Sequence, residues 1–158
     1  MLDDGGSVYK RIFVPYDGTL PSKLALDEAM YIAKLSGGVI EVVSIVEESM
    51  SLIALDSGYA NQMEPSDSAT LSSLSVIEEA GTRIQAAGVQ GSVRAVCRDG
   101  RDVSEAILLS AVDCDADLVV IGTHCRRGLR RWVHGSIVES LLRRTIFPIL
   151  IVPCRATA

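Results

Sequence analysis

The chain has 158 residues, 48% of them apolar and 22% charged, with a formal net charge of −5. That is the length of one domain able to bury a real core, and the composition is that of a soluble globular protein. The acidic balance argues against nonspecific binding to nucleic acid, and the apolar runs near Val119 and Ile149 last only a few residues against the ~20 that a membrane-spanning helix needs.

Residues 1–9 are expected to form a flexible tail. Met1 to Ser7 (MLDDGGS) is acidic and Gly-rich, without the basic start and apolar core of a signal peptide, so a cytoplasmic location is expected. The first apolar run, Arg11 to Tyr16 (RIFVPY), reads as a strand that Asp17-Gly18-Thr19 closes with a turn,. Ser22 to Ser36 carries apolar residues at mostly helical spacing, with Ser22 as the cap and Gly37-Gly38 as the stop,. Val39 to Val46 (VIEVVSIV) is a β-branched second strand,. Glu47 to Asp67 is irregular, with Gly58, Pro65 and several serines; a loop this long is either a cover over a ligand or plain solvent loop.

A helix is expected over Ser68 to Ala87, a third strand over Gln90 to Cys97, and a helix over Val103 to Val112. Asp117 to Ile121 makes the fourth strand and stops at Gly122; Ser136 to Arg144 is the last helix, and Pro148 to Val152 the fifth strand, leaving 154–158 as a short tail. Strands that alternate with helices call for one doubly wound α/β domain: a five-stranded parallel sheet with helices on both faces. Its ligand is expected at the carboxyl ends of the strands, where the winding reverses. Strand order 3-2-1-4-5 sets Asp17 opposite Gly122; order 2-1-3-4-5 sets Asp17 opposite Arg98-Asp99. The first is preferred because it unites the carboxylate with the Gly- and Arg-rich loop.

That loop carries the functional signal. A strand ending at Gly122, a segment holding Arg126, Arg127, Gly128, Arg130 and Arg131, and a helix opened by Gly135-Ser136 surround a small anion with backbone N–H groups and positive charge. Arg143 and Arg144 add to the same basic segment. Four cysteines (Cys97, Cys114, Cys125, Cys154) lie far apart with no CxxC, so free thiols are expected. Cys125, next to Arg126 and Arg127, is a candidate for a reactive thiol. His124, Cys125 and His134 match no metal-ligand spacing, and no metal is expected. No GxxxxGK[ST], GxGxxG or GxSxG is present, and no Ser, His and Asp can be assigned to a triad.

From Lys10 to Pro153 the chain resembles the universal stress protein (UspA-like) family. The resemblance rests on IFVPYDGT, on VSIVEE closing the second strand, on DADLVVIGTH, and on GSIVESLLRRTIFPILIVP. The family's ATP-binding members carry Gly, two residues, Gly, nine residues, Gly and then Ser or Thr. Gly122, Thr123-His124, Cys125, Arg126 to His134 and Gly135-Ser136 reproduce that spacing, with Cys125 where the second Gly belongs. The resemblance implies the 3-2-1-4-5 sheet, residues 10–153 as the nucleotide-binding domain, a homodimer, and an adenine nucleotide (ATP, or AMP or ADP, alone or with Mg²⁺).

Carried over residue by residue, Asp17 would meet the ribose or adenine side and the backbone at Ile45 the adenine. Gly122, Gly135 and Ser136 would hold ribose and phosphates, with Pro15, Ile121, Cys125, Gly128 and Ile137 completing the site. A side chain at Cys125 costs ~1–2 kcal/mol if a left-handed conformation is required there, about a tenfold weakening. The function so implied is that of a nucleotide-binding regulatory protein, not an enzyme. Its rivals are a protein-interaction module of the same family without nucleotide, and a weak ATP hydrolase. The fifth strand, Pro148 to Val152, is an apolar edge in the preferred order, and pairing with its copy in a second subunit would cover it.

Overall fold

A computed structural model describes residues 8–47, 68–124 and 136–154. The expectations about residues 1–7, the segment 48–67, the loop 125–135 and the tail 155–158 lie outside the described residues. Nine elements follow one another: β1 (Arg11–Pro15), α1 (Leu20–Ser36), β2 (Val39–Val46), α2 (Ser68–Ala87), β3 (Gly91–Cys97), α3 (Val103–Asp113), β4 (Leu118–His124), α4 (Ser136–Arg144) and β5 (Ile149–Cys154). The strands form one sheet in the order β3-β2-β1-β4-β5, and every pairing in it is parallel. The preferred order holds, and the alternative 2-1-3-4-5 does not.

The centre of the sheet shows why consecutive apolar residues demanded two helical layers. Successive strand side chains point to opposite faces. In β1, Ile12, Phe13 and Val14 are all fully buried. Ile12 and Val14 join Ala25, Leu26, Ala29 and Met30 of α1 and Ala80 and Ile84 of α2. Phe13 points the other way, to Ile107 and Ala111 of α3 and Val138 and Leu141 of α4. Tyr9 packs against the first of these clusters. At the amino-terminal edge Asp117 clamps β1 to β4: its carboxylate accepts the Lys10 amide at 2.6 Å and the Arg11 amide at 3.1 Å. No helix among the described residues is long and apolar enough to cross a membrane.

Three boundaries differ from the sequence reading by two residues or more: the start of α1 and the ends of β4 and β5. Helix α1 begins at Leu20, two residues before Ser22, with Pro21 in its first turn; proline's fixed φ is already helical there and its missing N–H is no loss. Ser22 is therefore no cap. It is buried, donates its hydroxyl proton to the Thr19 carbonyl at 2.9 Å and accepts the Asp17 amide at 3.4 Å. Strand β4 does not stop at Gly122 but runs to His124, because β5 runs beside it past Pro153: Gly122 pairs with Val152, Thr123 with Pro153 and His124 with Cys154.

Strand β5 is an edge, as expected. The Val119 amide donates to the Pro148 carbonyl at 3.0 Å, so the alternation of a parallel ladder aims the backbone groups of Ile149, Ile151 and Pro153 at the free side. Pro153 thus lacks an N–H where none is needed, the position in which an edge strand tolerates proline.

Candidate functional site

The carboxyl ends of β2, β1 and β4 meet where the order of winding reverses, and Pro15, Asp17, Ile45, Ile121 and Gly122 gather there. Pro15 pairs with Val43, and the Tyr16 amide donates to the Val43 carbonyl at 2.9 Å. The same register carries Asp17 level with Ile45. On the other side Ile12 pairs with Leu118 and Phe13 with Val119, which carries Pro15 level with Ile121 and Tyr16 level with Gly122. Pro15, Asp17, Ile45, Ile121 and Gly122 therefore share one end of three adjacent strands. The side chains of Ile45 and Ile121 pack into the α3–α4 side of the core, so what these two residues turn to the cleft is backbone.

Asp17 is held in a tight local turn. Its Oδ1 accepts the Thr19 amide at 3.0 Å and the Thr19 hydroxyl at 2.6 Å, the Asx arrangement that suits Asp before a helix. Burial works against its ionisation, yet hydrogen bonding, led by the Thr19 hydroxyl and amide, outweighs it and holds the carboxyl below the usual carboxylate range,. The site thus offers a fixed anionic acceptor, suited to hydroxyl donors such as those of a sugar. Gly18 makes the turn possible: its φ is +79°, and a Cβ there would come within 3.0 Å of Val76 Cγ2 on α2,.

Gly122 has a structural duty that the sequence reading did not assign. A Cβ on it would stand 2.0 Å from the Pro21 carbonyl oxygen and 2.3 Å from the Pro21 carbonyl carbon. The first turn of α1 lies directly on the backbone of β4. Glycine here allows close helix–strand approach, and that approach carries the Asp17–Thr19 turn to the end of β4. The carboxylate that follows the first strand and the glycine of the fourth thus lie at the same end of two adjacent strands.

Helix α4 opens at Ser136, where the Gly-Ser pair had placed it; Ile137 is 39% exposed and Val138 is buried. Its first-turn amides and dipole face the sheet's carboxyl end. Cys125, Gly128 and Gly135, with Arg126, Arg127, Arg130 and Arg131, lie outside the described residues. Arg143 and Arg144 prove to be remote from the site, in the last turn of α4. Arg143 pairs with Glu139 at 2.7 Å and Arg144 approaches Glu105 at 3.9 Å. Sequence proximity had grouped them with the loop; seven or eight helical residues, ~11 Å of rise, set them apart. Among the described residues no three His, Cys, Asp or Glu side chains could hold a metal ion together.

Two features beside the cleft gave little sequence signal. Tyr16, next to Asp17, is 3% exposed and sits in the seam between α1 and α2. Burial first and the Glu79 carboxylate second push its hydroxyl up to about 12. Lys23 bridges to Glu79 at 2.7 Å and Arg83 to Asp27 at 2.5 Å, so charged groups line the outside of that seam. On the opposite face, Asp102 caps α3 by accepting the Ser104 amide, and Ser104 in turn contacts Ser140 of α4. A Ser four residues after a helix opener looks like a surface position in sequence.

A model described as the universal stress protein family matches residues 8–153. A universal stress protein of Methanocaldococcus jannaschii is 25% identical over 158 residues, covering 96% of this chain and 86% of that protein. A crystal structure of a protein from the universal stress protein family of Burkholderia pseudomallei superposes with a TM-score of 0.69 at 26% identity, covering 94% of this chain and 99% of that one. A universal stress protein from Archaeoglobus fulgidus in complex with dAMP superposes with a TM-score of 0.65 at 19% identity, covering 91% and 98%.

Proposed function

The chain belongs to the universal stress protein family, and from that premise we propose that it is a cytoplasmic regulatory homodimer that binds an adenine nucleotide at the carboxyl ends of β2, β1 and β4. The observation that carries this reading is the juxtaposition of the ionised Asp17 turn with Gly122, enforced by the Pro21 contact, on the side of the sheet where α4 begins. The complex of the Archaeoglobus relative with dAMP supports an adenylate as the ligand class.

In this reading Asp17 accepts hydrogen bonds from the ribose, the backbone at Ile45 and Pro15 borders the adenine, and the amides at Ser136 and Ile137 take the phosphates. ATP, AMP and ADP share those groups; Mg²⁺ would travel with the triphosphate. The proposed role is regulation, not turnover: Asp17 Oδ1 already accepts two hydrogen bonds from Thr19, which suits it to holding a ligand more than to taking up a proton. Among the described residues the outer, apolar edge of β5 pairs with no strand, which supports a dimer, since a second copy laid along it would use the outward groups of Ile149 and Ile151.

Releasing nucleotide from purified protein by denaturation, and identifying it by absorbance and mass spectrometry, tests the reading. Titration calorimetry with ATP and Mg²⁺ follows, on wild type and Cys125→Gly. Binding in both, tighter by about tenfold in the variant, is expected. No heat and no released nucleotide from either would leave the rival reading, a dimeric protein-interaction module, which the Cys at the signature's second Gly position favours.

A further inference from the structure

Serines inside helices ordinarily return their hydroxyl proton to the carbonyl four residues back. Ser110 does so, donating to the Ala106 carbonyl at 2.8 Å, and Thr82 donates likewise to the Glu78 carbonyl at 2.9 Å. Ser140 stands apart: its hydroxyl lies 2.7 Å from the Ser104 hydroxyl across the α3–α4 interface. Ser104 is 1% exposed and is bonded to the Asp102 carboxylate through both its amide, at 3.2 Å, and its hydroxyl.

The direction of the chain follows from proton counting. Asp102 is held below the usual carboxylate range, chiefly by the Ser104 hydroxyl, so it only accepts. The single Ser104 proton is thereby spent on Asp102, and the proton between the two serines comes from Ser140. The sequence of donors is Ser140 to Ser104 to Asp102, and every member is satisfied. Ser104 and Ser140 lie beside the apolar α3–α4 contact and Asp102 at its exposed end; a satisfied polar chain of this kind favours one arrangement of the elements it joins.

Its position along α4 gives the chain a task. Helix α3 begins at Val103, so Ser104 belongs to its first turn, whereas Ser140 is already one turn into α4. Four residues of α4, ~6 Å of rise, project past the contact towards the end of the sheet. Those four residues present the amides that the nucleotide reading assigns to phosphate. The other described polar contact between the helices, Arg144 with Glu105 at 3.9 Å, lies at the far end of α4 and is half exposed, so it constrains little.

We propose that Asp102, Ser104 and Ser140 are positioning residues: their hydroxyl chain fixes the first turn of α4 against α3 and so sets the affinity of the site for an adenine nucleotide. The second clause rests on the nucleotide reading above; the first does not. Ser140→Thr and Ser140→Val add the same branch and differ only in the hydroxyl, which separates the chain's effect from that of packing.

Two measurements on the full-length protein decide it. Amide hydrogen exchange at Glu139, Ser140 and Leu141 should be at least about tenfold faster in Ser140→Val than in Ser140→Thr, with the β1 and β4 amides, which report global opening, differing by far less. Calorimetry with ATP and Mg²⁺ should show Ser140→Thr close to wild type and Ser140→Val weaker by about tenfold. Equal exchange at those three amides in the two variants overturns the positioning role whatever the nucleotide does. Altered exchange with equal affinity overturns the link to the site. A wild type that takes up no adenine nucleotide overturns the nucleotide reading, and exchange then still decides whether the chain fixes α4.

Discussion

Replacing Gly122 by alanine tests the contact on which the cleft depends. The new Cβ would lie 2.0 Å from the Pro21 carbonyl oxygen, where real Cβ contacts keep at least 3.0 Å, so backbone must yield by about 1 Å. No rotamer can relieve the clash, because the atoms met first are the carbonyl group and Cα of Pro21. Either α1 lifts from β4 or β4 bends away from β5. Overpacking of this kind costs ~1–3 kcal/mol, which in a domain of this size lowers the melting temperature by ~2–12 °C. Because Pro21 follows the Asp17–Thr19 turn, lifting α1 also withdraws the Asp17 carboxylate, and nucleotide affinity should fall by about tenfold or more. Thermal denaturation by circular dichroism and titration with ATP and Mg²⁺ read the two effects. A Gly122→Ala protein that melts within about 1 °C of wild type and binds nucleotide equally well would show that the Pro21 contact sets neither stability nor the position of Asp17.

The same substitution at Gly81 should do the opposite. Gly81 lies within α2 and a Cβ there meets nothing within 4 Å, so Gly81→Ala should raise stability by ~0.4–1 kcal/mol in urea denaturation, through helix propensity and a less disordered unfolded chain. Asp17 makes acid sensitivity predictable. A carboxyl with a lowered folded pKa contributes stability that is complete above its unfolded value of ~4 and is lost as pH falls through the folded value. Melting temperatures measured from about pH 6 to 2.5 should therefore fall less steeply for Asp17→Asn than for wild type; parallel curves would contradict the Thr19 bonds as the cause. At the sheet edge, Ile151→Pro removes an outward N–H without touching the β4 ladder. It should fold yet sediment as a monomer at micromolar concentration, where wild type should sediment as a dimer if the proposed β5 pairing forms; a dimeric variant would exclude pairing through β5.

Much of this fold is written locally. Hydrophobic runs bounded by Gly, Pro and Asp marked all five strands. Helical spacing with a Gly stop marked α1 and α2, and the Gly-Ser pair marked the start of α4. These signals depend only on residues a few positions apart, because strand pleat, helix period and caps are short-range geometry. Of the two strand orders compatible with the element pattern, 3-2-1-4-5 is the one that unites Asp17 with Gly122, and it is the order of the sheet.

What the tertiary structure alone decided is everything that depends on an element's neighbour. β4 continues through Gly122 because β5 pairs with it as far as Cys154, and a strand's length is set by what lies beside it as much as by its own residues. Gly122 is required by Pro21, a hundred residues away in sequence, and Ser140 is diverted from its own helix by Ser104. Arg143 and Arg144, close in sequence to the basic loop, stand a helix length from the cleft. The chain alone specifies which segments are extended or coiled, since those preferences are local; contacts between distant segments follow only once burial has brought them together, and the candidate site is made of such contacts.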